Sequence, residues 1–431
     1  MTSVHTRLLE RHRAVMPSWL SLYYQEPIEL VRGEGRRVWD ADGREYLDFF
    51  GGILTTMTAH ALPEVVDAVK QQAGRIMHSS TLYLIRSQVE LAEEIARLAP
   101  VPDAKVFFTT SGTEANEAAL LLATTARRSN QVLALRNSYH GRSFAAMSIT
   151  GNRGWSASSL SPFNVSYVHS GYRYRSPFRD LDDRAFTDRC VEDLRDILTT
   201  ATAGDVACMI AEPIQGVGGF SVPPDGFFSA MKEVLDEHGI LFISDEVQTG
   251  WGRTGEHFWG IEAHQVTPDI ITFAKGLGNG LTIAGVAARA ELMDGLTANS
   301  ISTFGGNPLA STGALANLRY LLEHDLQGNA RKIGEHLLRH LVDRTPGWPA
   351  VGEVRGKGLM IGLEMVVPGT TKPDAGSATA VVETCKELGL LIGKGGLHGN
   401  VLRIAPPMTV TRAEADEALD VLEAALERAA A

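Results

Sequence analysis

Cysteine is scarce in this sequence: Cys190, Cys208 and Cys385 are the only three in 431 residues. None stands at a metal-ligand spacing from another, so neither a zinc ribbon nor a disulfide scaffold is expected, and no metal site. Reduced thiols and a cytoplasmic location are the expectation. No apolar stretch approaches the ~20 residues that a membrane helix needs. The first residues, "MTSVHTRLLERHRAVMPSWLSLYY", set His and Arg between apolar residues and lack the continuous apolar core of a secretory signal. Glu10 argues against a mitochondrial presequence. Positive charge is also short: 40 Lys and Arg stand against 51 Asp and Glu, a formal charge of −11. That disfavours nonspecific binding to nucleic acid or to anionic membranes. No G-x-G-x-x-G follows a first strand, which speaks against a nicotinamide-dependent dehydrogenase. Internal repeats and low-complexity tracts are absent as well.

What is present is a chain that is 44% hydrophobic and long enough for more than one core, since a single core stops growing at roughly 250–300 residues. "VWDADGREYLDFFGGI" (Val38–Ile53) predicts a hairpin around an Asp-Gly turn. "PEVVDAVKQQAGRI" and "SQVELAEEIARLA" have helical periodicity. From Lys105 to about Ala288, short apolar runs ("KVFFT", "QVLAL", "VACMIAEP", "GILFISDE", "DIITFAKG") alternate with helical stretches. That alternation implies βαβ units and a mostly parallel sheet, the α/β class. Two helices follow Gly305. Then comes the strand-like "VGEVRGKGLMIGLEMV", which starts a second α/β unit ending in the helix "RAEADEALDVLEAALERA". The expected division is residues 1–50, joining a small domain, 51–304 as the large domain and 305–431 as the small C-terminal domain.

Open parallel sheets bind ligands beyond the carboxyl ends of their strands. Three runs deliver a charged residue there: "CMIAEP" delivers Glu212, "LFISDE" Asp245 and "IITFAK" Lys275. Buried ion pairs would leave the same pattern. Lys275, however, stands among the glycines of "ITFAKGLGNG", as if space were cleared around its amine. An acid with a reactive lysine suits Schiff-base chemistry, because burial lowers a lysine pKa from about 10.4 and makes a better nucleophile. Pyridoxal phosphate combines such a lysine with a carboxylate on its ring nitrogen. "FFTTSGTEANEAALLLA" supplies a phosphate site, Ser111-Gly112-Thr113 at a helix start, where N–H groups and hydroxyls receive anions. The same residues also read as a helix cap. In "NSYHGRS", Tyr139 could cover a ring face. On the residues alone it reads equally as core packing, and His140 as a structural histidine.

Together these segments resemble the class III pyridoxal-phosphate aminotransferases, of the transferase fold type I. The resemblance runs from "YLDFFGGI" to "LRIAPPM" and is carried by "SGTEANEAAL", "YHGRS", "AEPIQGVGG", "FISDEVQTGWGRTG", "FAKGLGNG" and "STFGGNPLA". It implies a large domain with a seven-stranded, mostly parallel sheet and a smaller α/β domain. It also implies that Lys275 forms the Schiff base and moves the proton, and that Asp245 pairs with the ring nitrogen. By the same likeness Gln248 sits near the cofactor's phenolic oxygen, Val247 and Tyr139 lie on opposite ring faces with His140 beside them, and Ser111, Gly112 and Thr113 hold the phosphate. Thr303 matches a threonine that reaches the neighbouring subunit's phosphate, which implies a homodimer with sites at its interface and leaves tetramers open. Arg403 matches the arginine that binds a substrate carboxylate, and Glu212 the acid that pairs with it when a carboxylate-free amine is bound.

The implied reaction is a ping-pong transfer of an amino group from an amino acid to an α-keto acid. Within the class, "LYYQEPIELVRGEG", "GVGGF", "HFWGIEAH" and "VGEVRGKGLMIGLEMV" look most like the alanine–glyoxylate aminotransferases of class III. Those handle L-alanine, glyoxylate, pyruvate, β-alanine and related ω-amino acids. Aminotransferases of 4-aminobutyrate, ornithine or diamines, racemases, decarboxylases and aminomutases share the fold. The presence of both Lys275 and Asp245 argues against a degenerate, non-enzymatic relative. One departure stands out. "TAHALPEVVDAV" has Ala59 and Leu62 where many members carry Gly and His, close to the expected entrance of the site.

Overall fold

The computed structural model describes residues 4–430, which carry three sheets. The N-terminal sheet is built from β1 (Leu30–Glu34), β2 (Arg37–Asp40) and β3 (Glu45–Asp48). β2 and β3 form the hairpin that the Asp-Gly signal predicts, and Gly43 takes φ 83° in its turn. β1 extends it, and Leu390–Leu391, from far along the chain, pairs in parallel with β3.

The central sheet comprises β4 (Ala104–Thr109), β5 (Gln131–Leu135), β6 (Asn164–Val168), β7 (Cys208–Ala211), β8 (Leu241–Asp245), β9 (Ile270–Phe273) and β10 (Ala284–Arg289), in the order β4-β10-β9-β8-β7-β5-β6. Strands β6, β5, β7, β8 and β9 run parallel, and β10 is antiparallel to both β9 and β4. All four residues of β7 and of β9 are buried. Helices cover both faces of a sheet of this kind, so its inner strands read as continuous apolar runs rather than alternating ones. β6 and β10 are the strands with no such run: one carries Asn, Ser and Tyr, the other Gly and three alanines.

The third sheet has the order β11-β12-β15-β14, with β11 at Val351–Lys357, β12 at Met360–Met365, β13 at Leu390–Leu391 (the strand that joins the first sheet), β14 at Gly393–Gly395 and β15 at Val401–Ile404. The single strand-like run read from "VGEVRGKGLMIGLEMV" is therefore a hairpin. It turns at Gly358, whose φ of 53° and contact with the Thr254 backbone exclude a side chain. Long helices, Pro308–Glu323, Leu326–Arg344 and Arg412–Ala430, follow the predicted periodicity. The three cysteines are buried free thiols, and burial pushes each up to about 12. No helix among the described residues is long and apolar enough to cross a membrane.

Ile210 lies in the middle of β7 with no exposed surface. Ile210→Ala is expected to cost about 2–5 kcal/mol of stability, because the sheet cannot collapse into the space left behind. Chemical denaturation measures this, and a loss well under 1 kcal/mol would contradict the packing described.

Candidate active site

A cavity of about 320 Å³ opens at the carboxyl ends of the parallel strands. Ten of the twelve residues singled out from the sequence line it: Ser111, Gly112, Thr113, Tyr139, His140, Glu212, Asp245, Val247, Gln248 and Lys275. β8 ends on Asp245, which pairs with Thr272 of the adjacent β9, so Lys275 emerges three residues later on the neighbouring strand end. Strand register alone thus brings the acid and the amine to one rim.

Asp245 is 4% exposed and both its oxygens are occupied. Oδ1 accepts from the Val247 N–H (3.1 Å), and Oδ2 accepts from Asn116 Nδ2 (2.8 Å) and is 2.7 Å from His140 Nδ1. Asn116 also donates to the His140 carbonyl (2.8 Å) and accepts from the Thr272 hydroxyl (2.7 Å). Neither Asn116 nor Thr272 was among the sequence candidates. Each carried a signal: an Asn inside an Ala- and Leu-rich helix, where it is a poor helix former, and a hydroxyl inside the apolar run "IITF". His140 is a structural partner of Asp245 as well as a cavity wall, and its Nε2 is buried without a partner.

Lys275 has φ 41°, a left-handed conformation that costs a side-chain-bearing residue about 1–2 kcal/mol. Burial lowers its amine below the ordinary lysine range; Asp245 and Glu212 oppose that shift and Arg403 adds to it. A neutral amine is the nucleophilic form. The surrounding glycines do less clearing than expected. A Cβ on Gly276 would meet Met57 Sδ at 2.6 Å and one on Gly278 would meet Ile283 at 3.2 Å, so these two let the turn pack down. Only Gly280 (φ 103°), with nothing near its missing side chain, adds room to the cavity.

The helix Gly112–Arg127 begins at the cavity, capped by Ser111, whose Oγ accepts from Glu114 N–H (3.2 Å). A Cβ on Gly112 would lie 3.2 Å from Val247 Cγ2, so glycine permits the close approach of these two walls. Tyr139 is half-buried and stands edge-on to Trp155, with centroids 5.3 Å apart; burial raises its phenol. Gln248 Oε1 is buried and unpartnered. Glu212 accepts from the N–H groups of Tyr139 (3.0 Å) and Gly216 (2.8 Å), and burial pushes its carboxyl up to about 7.

Two candidates lie off the cavity. Thr303 is exposed, beside the exposed Phe304. Arg403, on β15, is buried behind the cavity. It donates to the carbonyls of Gly216 (3.2 Å) and Lys394 (2.9 Å), its Nε is unpartnered, and its guanidinium lies 4.9 Å over the Phe50 ring. No ion pair joins it to Glu212; instead Arg403 holds the Gly216 carbonyl and Glu212 the Gly216 N–H. Ala59 and Leu62 do not line the cavity. Both are buried in an apolar cluster with Val65, packed against Ala316 and Tyr320, because the segment closes on a helix pair rather than on the cavity.

The sequence profile of the family "Aminotransferase class-III" matches residues 22–426. The chain belongs to the class III aminotransferases. It is 39% identical over 420 residues (96% of this chain, 86% of the other) to alanine–glyoxylate aminotransferase 2 homolog 2, mitochondrial, of Arabidopsis thaliana. It is likewise 39% identical over 424 residues (97% and 95%) to a leucine/methionine racemase of Thermococcus litoralis. An amine transaminase from an uncultivated Pseudomonas species, solved in its PLP-bound form, superposes with a TM-score of 0.90 at 31% identity, covering 96% of this chain and 98% of that one. The aminotransferase works with pyridoxal 5′-phosphate. Its residues suit that group: a helix start for a phosphate, a carboxylate at the cavity wall, a lysine without a hydrogen-bond partner among the described residues, and the unpartnered Gln248 Oε1. When bound, the cofactor supplies an aldehyde that condenses with amines and a ring that withdraws electrons from the adjacent carbon.

The knot around Asp245 and the burial of Lys275 each generate a test. Asn116→Ala leaves Asp245 Oδ2 with one partner fewer and is expected to lower the single-turnover rate about ten- to a hundredfold. A rate within about twofold of the parent would remove Asn116 from the positioning of Asp245. In the apo-protein, Lys275 is expected to react with acylating reagent with a midpoint below the ~10.4 of a free lysine. The lowered pKa leaves more neutral amine at any given pH. Peptide mapping across a pH series reads this, and a midpoint at or above that of exposed lysines would contradict it.

Proposed function

We propose that this aminotransferase takes its amino group from L-alanine, β-alanine or another ω-amino acid and passes it to glyoxylate or pyruvate, in ping-pong order. The observation that carries the reading is the shared anchorage of Arg403 and of the cavity-lining Glu212 on Gly216, at its carbonyl and its N–H respectively. A guanidinium fork suits a planar carboxylate, and Glu212 is within the same small region to pair with it when the amine lacks one. Ser111, Gly112 and Thr113 hold the cofactor's phosphate, Asp245 its ring nitrogen and Gln248 its phenolic side, with Val247 and Tyr139 on the two faces. Lys275 carries it and, once released, moves the proton at the substrate's α-carbon.

Thr303 serves the neighbouring subunit of a homodimer. In support, Leu84 is 99% exposed and Tyr83, Ile301 and Phe304 more than half exposed, an apolar surface that a monomer would leave in water. The division at residues 50 and 304, and a cytoplasmic location for the three reduced thiols, belong to the same proposal.

The similarity to a racemase favours a second reading, in which the α-proton is exchanged and the amino group stays. Dependence on an acceptor separates the two. L-alanine alone is expected to bleach the visible band of the holoenzyme, and glyoxylate to restore it. Loss of optical activity from alanine without any keto acid would favour racemisation, and bleaching by 4-aminobutyrate but not alanine would favour an ω-aminotransferase that uses 2-oxoglutarate. Arg403→Ala is expected to weaken keto acids about tenfold or more while sparing a carboxylate-free amine; equal losses would undo the role given to Arg403.

A further inference from the structure

Behind Arg403 lies a second charged cluster that the chemistry above does not use. Glu364 on β12 is fully buried, and Arg355 on β11 is 9% exposed. Arg355 Nη2 donates to Glu364 Oε2 (2.9 Å), while Oε1 accepts from Arg175 (2.6 Å) and Asn400 (2.8 Å). The Tyr172 hydroxyl also donates to Glu364, and its ring lies 4.7 Å under the Arg355 guanidinium. Burial alone would raise the Glu364 carboxyl, but these partners together hold it below its usual range. Burying such a pair gains little stability over apolar packing, so its use is to be sought in what it holds.

What Arg355 holds is one carbonyl. Its Nε (3.1 Å) and Nη2 (2.7 Å) converge on the oxygen of Gly219. Gly219 has φ 98°, and a Cβ there would strike Val401 at 2.8 Å, so the turn approaches the third sheet more closely than any side chain would allow. The Gly219 N–H donates to the Gly216 carbonyl (3.2 Å) and closes the turn. That same carbonyl receives Arg403 Nη1, and the Gly216 N–H holds Glu212. The fixed ion pair therefore determines, through one four-residue turn, where the peptide between Arg403 and Glu212 stands.

We propose that Arg355 is a positioning residue for substrate carboxylates: by gripping Gly219 it keeps Gly216 between Arg403 and Glu212, so that the two do not pair while a carboxylate is to be bound and Arg403, with its unpartnered Nε, stays free of an ion pair. The inference rests on the reading of Arg403 as the carboxylate-binding group. Without the grip, Glu212 captures Arg403 and competes with every carboxylate ligand, while a carboxylate-free amine, with which the pair forms in any case, loses nothing.

Arg355→Lys keeps a positive charge beside Glu364 and loses the two-pronged hold on Gly219. The KM for pyruvate is expected to rise about tenfold, the loss of a charge-assisted hydrogen bond. The half-reaction with 1-phenylethylamine should change by less than about twofold. Calorimetry of the holoenzyme with propionate, an unreactive carboxylate, should show the same weakening without turnover. Adding Glu212→Gln to Arg355→Lys should recover propionate binding, because a neutral amide does not capture the guanidinium. Equal losses with pyruvate and with the amine, or no loss of propionate binding, would overturn the proposal. Tyr172→Phe removes one hydroxyl from the cluster and is expected to shift the same quantities the same way by about threefold, which decides the matter should Arg355→Lys fail to fold. Arg403→Ala separates the two levels. If it does not weaken propionate, the carboxylate role of Arg403 fails. If it does and Arg355→Lys does not, only the positioning role falls.

Discussion

Asp245 ends a central strand with both oxygens committed, and the segments around the cavity are tied to it. Val247 holds one oxygen through the backbone; Asn116 and His140 hold the other. Asn116 binds the helix Gly112–Arg127 to the loop at His140 and, through Thr272, to β9. Four pieces of chain, far apart in sequence, are thereby fixed around one carboxylate. In a buried setting such a network is stiff, since every member lost leaves another polar group without a partner. That stiffness is what a charge-stabilising site requires, because donors and acceptors already aimed need no reorganisation when charge develops.

Around the knot, close approach does as much as charge. Gly112 lets the helix that it starts lie against Val247, and Gly276 lets the lysine turn lie on Met57. Lys275 sits in a left-handed conformation at the rim of an apolar sheet. Such strain persists only where surrounding packing over-determines it. The same economy recurs at Gly219, where the absence of a side chain brings a turn within reach of Arg355.

The inner strands and their terminal charges were legible because burial on both faces turns a strand into an uninterrupted apolar run. Glu212, Asp245 and Lys275 then stand out as the first polar residues after each run. β6 and β10 were not legible, since alanine, glycine and serine leave no period to read. The hairpin at Gly358 was read as one strand, for a positive-φ glycine leaves no mark on hydropathy. Asn116 and Thr272 were missed because their partners lie up to 156 residues away. Ala59 and Leu62 illustrate a related limit of reading a sequence: proximity to an entrance motif says nothing about which way a buried side chain faces.

Every proposed step depends on one point of attachment, the amine of Lys275 as the group that would carry pyridoxal phosphate. Reduction of the holoenzyme with borohydride, followed by peptide mass mapping, tests it most directly. A phosphopyridoxyl mass is expected on the peptide that contains Lys275 and on no other. The same mass on a different lysine, or its absence from a protein that retains the cofactor's visible absorbance, would contradict it.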